Sequence, residues 1–198
     1  MHVKRNTKTG VTKIAGLCGI VLPFVFFIFV ELAIWQAPWF QWTQHALSDL
    51  GVSGSSAPLF SVGVIVTSIL ALVFSAGLVK MLSTKTGGYV LMISSVALFS
   101  IGVFPMSLGA VHYFVSATFF VSLLIGLLIL GTTLNMNHFE EKMAKLAIIV
   151  SAISICSPIF LLFWKGVAFS ETIVFFLAFL WCMLYGAGMI SDSERAYH

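Results

Sequence analysis

The sequence predicts an all-α integral membrane protein, a bundle of six transmembrane helices with short connections and both termini in the cytoplasm. Of its 198 residues, 60% are hydrophobic and only 9% are charged, and the mean hydropathy is +1.07. Soluble domains carry about 25% charged residues. The apolar residues fall into six runs, each close to the ~20 residues that cross a bilayer as a helix. The basic residues cluster on one side of these runs, which sets the orientation.

In chain order, the predicted spans are residues 14–35, 58–82, 88–104, 109–134, 143–163 and 170–190. Pro23 and Pro158 lie inside predicted spans, Pro58 suits the first turn of the second, and Pro105 stops the third. Because the connections are short, consecutive helices are expected to pack as antiparallel neighbours. The prediction is one membrane domain over residues 1–198.

The first span follows a basic tail, as the apolar core of a signal peptide would. The run 14–35 is longer than the roughly 7–15 residues of such a core, and no clear cleavage site follows it. We therefore expect a retained span.

The orientation follows from the ten basic residues. Nine lie in the N-terminal tail, the second-to-third connection, the fourth-to-fifth connection and the C-terminal tail, and only Lys165 lies on the other side. The positive-inside rule then predicts a multi-pass cell-membrane protein with cytoplasmic termini. Residues 36–57 and 105–111 would face outward, and residues 83–87 and 135–142 inward.

The first connection contains the densest set of reactive side chains in the chain. Interpreted as a short helix capped by a left-handed Gly51, it places Gln41, His45, Ser48 and Asp49 on one face, at i, i+4, i+7 and i+8. Three tryptophans between residues 35 and 42 are typical of a segment where membrane meets water.

Other polar residues are predicted to lie at the same depth in the membrane as the first connection. Glu31 lies one turn before the end of the first span, where an ionisable group usually faces the bundle interior. His112 falls in the first turn of the fourth span, with Ser116 one turn deeper. Glu171 opens the sixth span behind Ser170, which we expect to be its N-cap.

A metal site is one interpretation of these residues. His45, Asp49, His112 and Glu31 are acceptable ligands for zinc or a similar divalent ion. A water bound to zinc has its pKa lowered to about 7 and could attack an ester or amide of a lipid.

Metal-free catalysis is a second interpretation. His45, oriented by Asp49, would be the general base, with Ser48 or Ser116 as the nucleophile.

In a third interpretation the same side chains only brace the outer loop: His45 bonds to Asp49, and Ser48 or Asp49 satisfies local backbone donors. Binding of a cofactor or quinone is a further alternative. The chain lacks the basic, aromatic-interleaved surface of a nucleic-acid-binding protein and the glycine patterns of phosphate-binding loops. A transporter is disfavoured because mid-membrane charges and broken-helix pairs are lacking.

The pattern His45-x-x-Ser48-Asp49-Leu50-Gly51, then Phe104-Pro105 and His112-x-x-x-Ser116, resembles the prokaryotic six-span proteins of domain-of-unknown-function family 998. The resemblance covers roughly residues 14–190 and implies no assigned activity. The Ser-Asp-Leu-Gly segment is also distantly similar to the Frag1/DRAM/Sfk1 six-span proteins, which are associated with lipid remodelling and trafficking. The alkaline-ceramidase-like hydrolases use three histidines and seven spans, whereas this chain offers two and six.

The sequence therefore predicts a membrane protein whose outward-facing polar pocket binds lipid or another amphipathic ligand. The alternative is a metal-assisted lipid hydrolase or transferase that uses His45, Asp49 and His112. Whether the protein is an enzyme, and its oligomeric state, stay open at this point.

Overall fold

The six-helix, all-α prediction is confirmed by the computed structural model, which describes the backbone of residues 2–135 and 137–195 and the side chains of residues 10–135 and 137–191. The helices are α1 His2–Trp35, α2 Ser56–Met81, α3 Thr86–Val103, α4 Ala110–Thr133, α5 His138–Cys156 and α6 Ala168–Arg195. Short 3-10 helices occupy Leu47–Gly51, Met106–Leu108 and Ser157–Leu162. Six helical segments in the described part are long and apolar enough to cross a membrane.

The proline in the predicted fifth span ends the α-helix there. Helix α5 stops at Cys156, and the chain continues through Pro158 as the 3-10 helix Ser157–Leu162. Pro158 has no N–H to donate to the carbonyl of Ser154, four residues earlier. That carbonyl accepts instead from the backbone N–H of Ser157 and from the Ser157 hydroxyl, the latter at 2.8 Å. Ser157 thus completes the end of α5.

The six helices form a closed ring in chain order. Each packs on its sequence neighbour, and α6 returns to pack on α1. The approach of α1 and α6 is close because two glycines face each other. A Cβ added to Gly16 would lie 2.6 Å from the carbonyl oxygen of Gly186. Small residues of this kind let transmembrane helices pack backbone against backbone.

Aromatic rings fill the centre of the bundle. The rings of Phe26 and Phe175 are 4.3 Å apart, and Phe119 stacks on Phe175 at 5.3 Å. These contacts join α1, α4 and α6. The fully buried Trp181 donates its indole N–H to the carbonyl of Met143 at 2.9 Å, which ties α6 to the first turns of α5.

Three connections meet at one end of the bundle, which we call the site end: residues 36–55, 104–109 and 163–167. The 3-10 helix Leu47–Gly51 contacts the 3-10 helix Met106–Leu108. Gly166 donates a backbone hydrogen bond to Thr43. All the candidate residues from His45 to Asp49, together with His112, belong to this end.

The predicted orientation can be tested by cysteine labelling at Ser55 and Thr86, which are exposed at opposite ends of the bundle. In a background lacking Cys18, Cys156 and Cys182, an impermeant thiol reagent added to intact cells should label Ser55→Cys and not Thr86→Cys, because basic connections stay in the cytoplasm. Labelling of Thr86→Cys from outside would reverse the topology.

Candidate functional site

The first connection is not the α-helix that the i, i+4 pattern predicted. Residues 36–46 form turns, and only Leu47–Gly51 are helical, as a 3-10 helix. The expected left-handed cap at Gly51 is wrong as well, because the positive φ, 74°, belongs to Gly54. Position 51 favours glycine for a different reason: a Cβ there would lie 2.9 Å from the ring of Phe60.

Two carboxylates hold the start of this 3-10 helix. Asp49 Oδ2 accepts from the N–H of Ala46 at 2.8 Å, and Glu171 Oε2 accepts from the N–H of Leu47 at 2.6 Å. Leu47 is only 2% exposed, so its amide has no access to bulk water. A buried backbone N–H needs an acceptor within the protein. Glu171 therefore fastens the first connection to α6 across 124 residues of sequence.

The connection between α5 and α6 lies directly on the first connection. The N–H groups of Gly166 and Ala168 donate to the carbonyls of Thr43 and His45, at 2.9 and 3.0 Å. A Cβ at Gly166 would lie 2.5 Å from the His45 carbonyl oxygen. Only glycine permits this approach, and the sequence analysis did not single it out.

The His45 ring lies between two aromatic rings. Its Nδ1 accepts from the backbone N–H of Gln41 at 3.0 Å. The ring centroid is 5.2 Å from that of Trp39 and 5.8 Å from that of Phe40. Its hydrogen bond and both ring contacts are to residues within the same connection.

Aromatic contacts continue from this connection to α6. The ring centroid of Trp42 is 5.5 Å from that of Phe40 and 5.6 Å from that of Phe169. The ring centroids of Phe169 and Trp164 are 4.6 Å apart. Indole rings are enriched where a membrane meets water. These aromatic rings thus lie at the site end, where the interface between membrane and water is expected.

His112 and Ser48 both bond to the connection between α3 and α4. The His112 ring is 3% exposed, and its Nδ1 donates to the carbonyl of Phe104 at 2.7 Å. The Ser48 hydroxyl donates to the sulfur of Met106 at 3.4 Å. Ser116, a predicted nucleophile, is half-buried one turn further along α4. His112 therefore joins the end of α3 to the start of α4.

Glu31 does not face the bundle interior, so that expectation is wrong. Its side chain is exposed on α1, on the same face as the exposed Ile28 and Trp35. Glu31 therefore lies on the outer side of α1.

The predicted metal ligands are not gathered into one site. In the described part of the chain, no three His, Cys, Asp or Glu side chains lie close enough to hold a metal ion. His45, Asp49 and His112 each bond to a backbone group instead. The metal site stays a prediction, and this geometry supplies no ligand set that would fit zinc.

A cavity of about 480 Å³ lies between α4, α5 with its 3-10 extension, and α6. A small part of its lining is polar and lies next to the site end: Ser154, Ser157, Ser170 and Glu171. The apolar lining includes Phe120, Leu124, Ile155, Leu161 and Val174. Leu124 lies about 21 Å along α4 from the first residue of that helix, at 1.5 Å per residue, so the cavity extends deep into the bundle.

The three serines of this cavity differ in their hydrogen bonding. Ser170 lies inside α6, which begins at Ala168, so it is not the N-cap expected from the sequence; its hydroxyl donates to the carbonyl of Ser157 at 2.8 Å. The Ser157 hydroxyl donates to Ser154, as described above. The Ser154 hydroxyl is buried without a hydrogen-bond partner in the described part of the chain.

The comparisons with known proteins give a family and no activity. The family described as "Protein of unknown function (DUF998)" matches residues 20–188. No curated protein and no solved structure matches the chain. The distant similarity to Frag1/DRAM/Sfk1 proteins stays a prediction.

Gly166→Ala should destabilise the protein, because the added Cβ meets the backbone of His45, which cannot rotate away. We expect a loss of about 1–3 kcal/mol, typical of overpacking, measured as a lower midpoint of thermal unfolding in detergent. Gly10→Ala is the control, since nothing lies within 4 Å of a Cβ there. Equal midpoints for both variants would contradict the close contact.

Glu171→Ala should also destabilise the protein, because it leaves the buried N–H of Leu47 without an acceptor, at a cost of about 1–3 kcal/mol. Glu171→Gln keeps an oxygen acceptor and should lose less. The exposed Glu141→Ala should leave the unfolding midpoint nearly unchanged. An unfolding midpoint for Glu171→Ala equal to that of Glu141→Ala would show that the Glu171 bond does not brace the connection.

Proposed function

Because the chain belongs to the DUF998 family over residues 20–188 and the family description assigns no activity, we propose its function from the site: it binds a membrane lipid or another amphipathic ligand. The single observation that carries this proposal is the cavity between α4, α5 and α6. Its volume lies within the roughly 300–1,000 Å³ of sites for small organic molecules.

Most of the lining is apolar, with a small polar patch near one end. Ser170 and Glu171 come from the first turn of α6, and Phe120 and Leu124 lie deeper in the bundle. A ligand with a polar head at the site end and an apolar chain along α4 would match both. Burial of apolar chain surface contributes roughly 25 cal/mol per Å².

The cavity also offers a route of entry from the side. Ile155 and Leu161 line it and are among the exposed apolar residues of the bundle. In a bilayer such residues contact lipid, so a ligand already dissolved in the membrane can enter between α5 and α4 without crossing water. With the orientation predicted from the basic residues, entry would be from the outer leaflet of the cell membrane.

In this proposal the residues of the first connection position the cavity's polar end. Glu171 lines the cavity with its side chain and holds Leu47 at the same time. Asp49 fixes the neighbouring amide of Ala46, and the N–H of Ala168 binds His45. These residues are positioning residues, and none of them needs to be catalytic.

The alternative, a metal-assisted lipid hydrolase or transferase, makes different demands. His45, Asp49 and His112 would have to leave their backbone partners and converge on one ion. On the binding proposal, purified protein should contain no stoichiometric divalent metal by elemental analysis, and Asp49→Ala should leave lipid binding within a few-fold. Stoichiometric zinc that is lost in both Asp49→Ala and His112→Ala would favour the enzyme.

The binding proposal is tested by filling the cavity from its exposed rim. Ile155→Trp should remove the lipid that purifies with the protein, measured by native mass spectrometry, because the larger ring occupies the chain's path. Ile153→Trp is the matched control: Ile153 is 45% exposed, on the same helix, and does not line the cavity. Bound lipid that is equal in both variants would overturn the proposal.

A further inference from the structure

A second apolar groove, of about 250 Å³, lies between α1 and α6. It shares no lining residue with the cavity between α4, α5 and α6. Its lining includes Phe24, Phe27 and Ile28 from α1 and Phe176 and Leu180 from α6. Phe24, Ile28 and Phe176 are all exposed, so the groove opens to the lipid around the bundle.

Glu31 lies directly beyond this groove on α1. It follows Phe27 by four residues and Ile28 by three, the spacings that place side chains next to each other on one helix face. At 1.5 Å per residue, it is about 4.5 Å closer to the site end than Ile28. Helix α1 ends at Trp35, one turn further on. The exposed carboxyl group therefore lies where the chain of a lipid gives way to its head.

The Glu31 carboxyl group finds no partner within the described residues, where no hydrogen bond or ion pair joins its side chain. The other ionisable acidic or basic residue between Gly10 and Trp35 is Lys13, about 27 Å away along the helix. Acidic side chains within membrane spans are usually paired. A lipid head that carries a cation would supply this partner.

Trp35 also favours a cation at this position. It follows Glu31 by four residues on the same face of α1, and its side chain is 79% exposed. The face of an indole ring attracts ammonium groups. A carboxylate and an indole ring one turn apart thus present two groups that attract the same head.

We propose that the groove between α1 and α6 binds a phospholipid with a primary ammonium head, as in phosphatidylethanolamine. The ammonium group contacts Glu31, and one acyl chain lies along Phe24 and Ile28. A primary ammonium group has three N–H donors and forms charge-assisted hydrogen bonds to a carboxylate. The quaternary ammonium of phosphatidylcholine has the same charge and no N–H donor. Phosphatidylglycerol carries an anionic phosphate and no cation.

The experiment measures the lipid preference of the purified, delipidated full chain by native mass spectrometry. Phosphatidylethanolamine and phosphatidylcholine are added in equal amounts, with chains that give them different masses. We expect phosphatidylethanolamine to bind about 3–10-fold more tightly, the range of one hydrogen bond. A ratio of bound lipids near one would overturn the proposal.

Three variants test the contact with Glu31. Glu31→Gln keeps the shape of the side chain and removes its charge, so the preference should fall to about one. Glu31→Lys should favour phosphatidylglycerol over phosphatidylethanolamine. The control Glu141→Gln removes the same charge from the exposed start of α5 and should leave the preference unchanged. A preference that survives Glu31→Gln would refute the ammonium contact.

Filling the groove tests where the lipid lies. Ile28→Trp should abolish the preference, because the larger ring occupies the path of the chain. Ile14→Trp is the matched control: Ile14 is 60% exposed against 57% for Ile28, on the same helix, and does not line the groove. Equal preferences in the two variants would show that the lipid does not occupy the groove.

Ile155→Trp separates this groove from the cavity of the proposed function. The preference should persist in that variant, because the groove stays open. If Ile155→Trp removes the preference and Ile28→Trp does not, the head is recognised in the cavity, and the groove proposal fails while the proposed function stands. A wild-type dimer that Ile28→Trp separates, with equal binding of both lipids, would assign the groove to a second copy of the chain and overturn the proposal.

Discussion

The hydrogen bond from the Leu47 amide to the Glu171 carboxylate is the contact on which the site end depends. It joins the first connection to the first turn of α6, and the same side chain lines the cavity between α4, α5 and α6. Leu47 is buried, so its amide needs an internal acceptor. The backbone hydrogen bond from Gly166 to Thr43 then holds the connection between α5 and α6 against the first connection. The first connection and the polar part of the cavity lining thus share one side chain, that of Glu171.

The helices could be predicted because hydropathy alone carries that information: a bilayer requires about 20 apolar residues per span and internal hydrogen bonding of every amide. The direction in which each side chain points could not be predicted in this way. Core-facing and lipid-facing residues are both apolar, so Ile28 on the exposed face and Phe26 in the core look alike in the sequence. Glu31 was assigned to the interior on a general rule and proved exposed.

The arrangement of the first connection could not be predicted from its sequence. The cluster from His45 to Asp49 does lie where three connections meet, but helical spacing was applied to a segment that is mostly turns. Its hydrogen bonds reach residues distant in sequence, which no local pattern reveals. Ser154 and Ser157 looked like ordinary small residues of a span. The available signal was Pro158, which cannot donate to the Ser154 carbonyl and so leaves that role to Ser157.

An experimental structure in a lipid nanodisc tests the central claim most directly, namely that the cavity beside Glu171 is a lipid site. The account predicts chain-like density along Phe120 and Leu124, with its polar end beside Glu171 and the Leu47–Glu171 bond intact. A cavity closed by its own side chains, or an open cavity without chain-like density, would contradict the account.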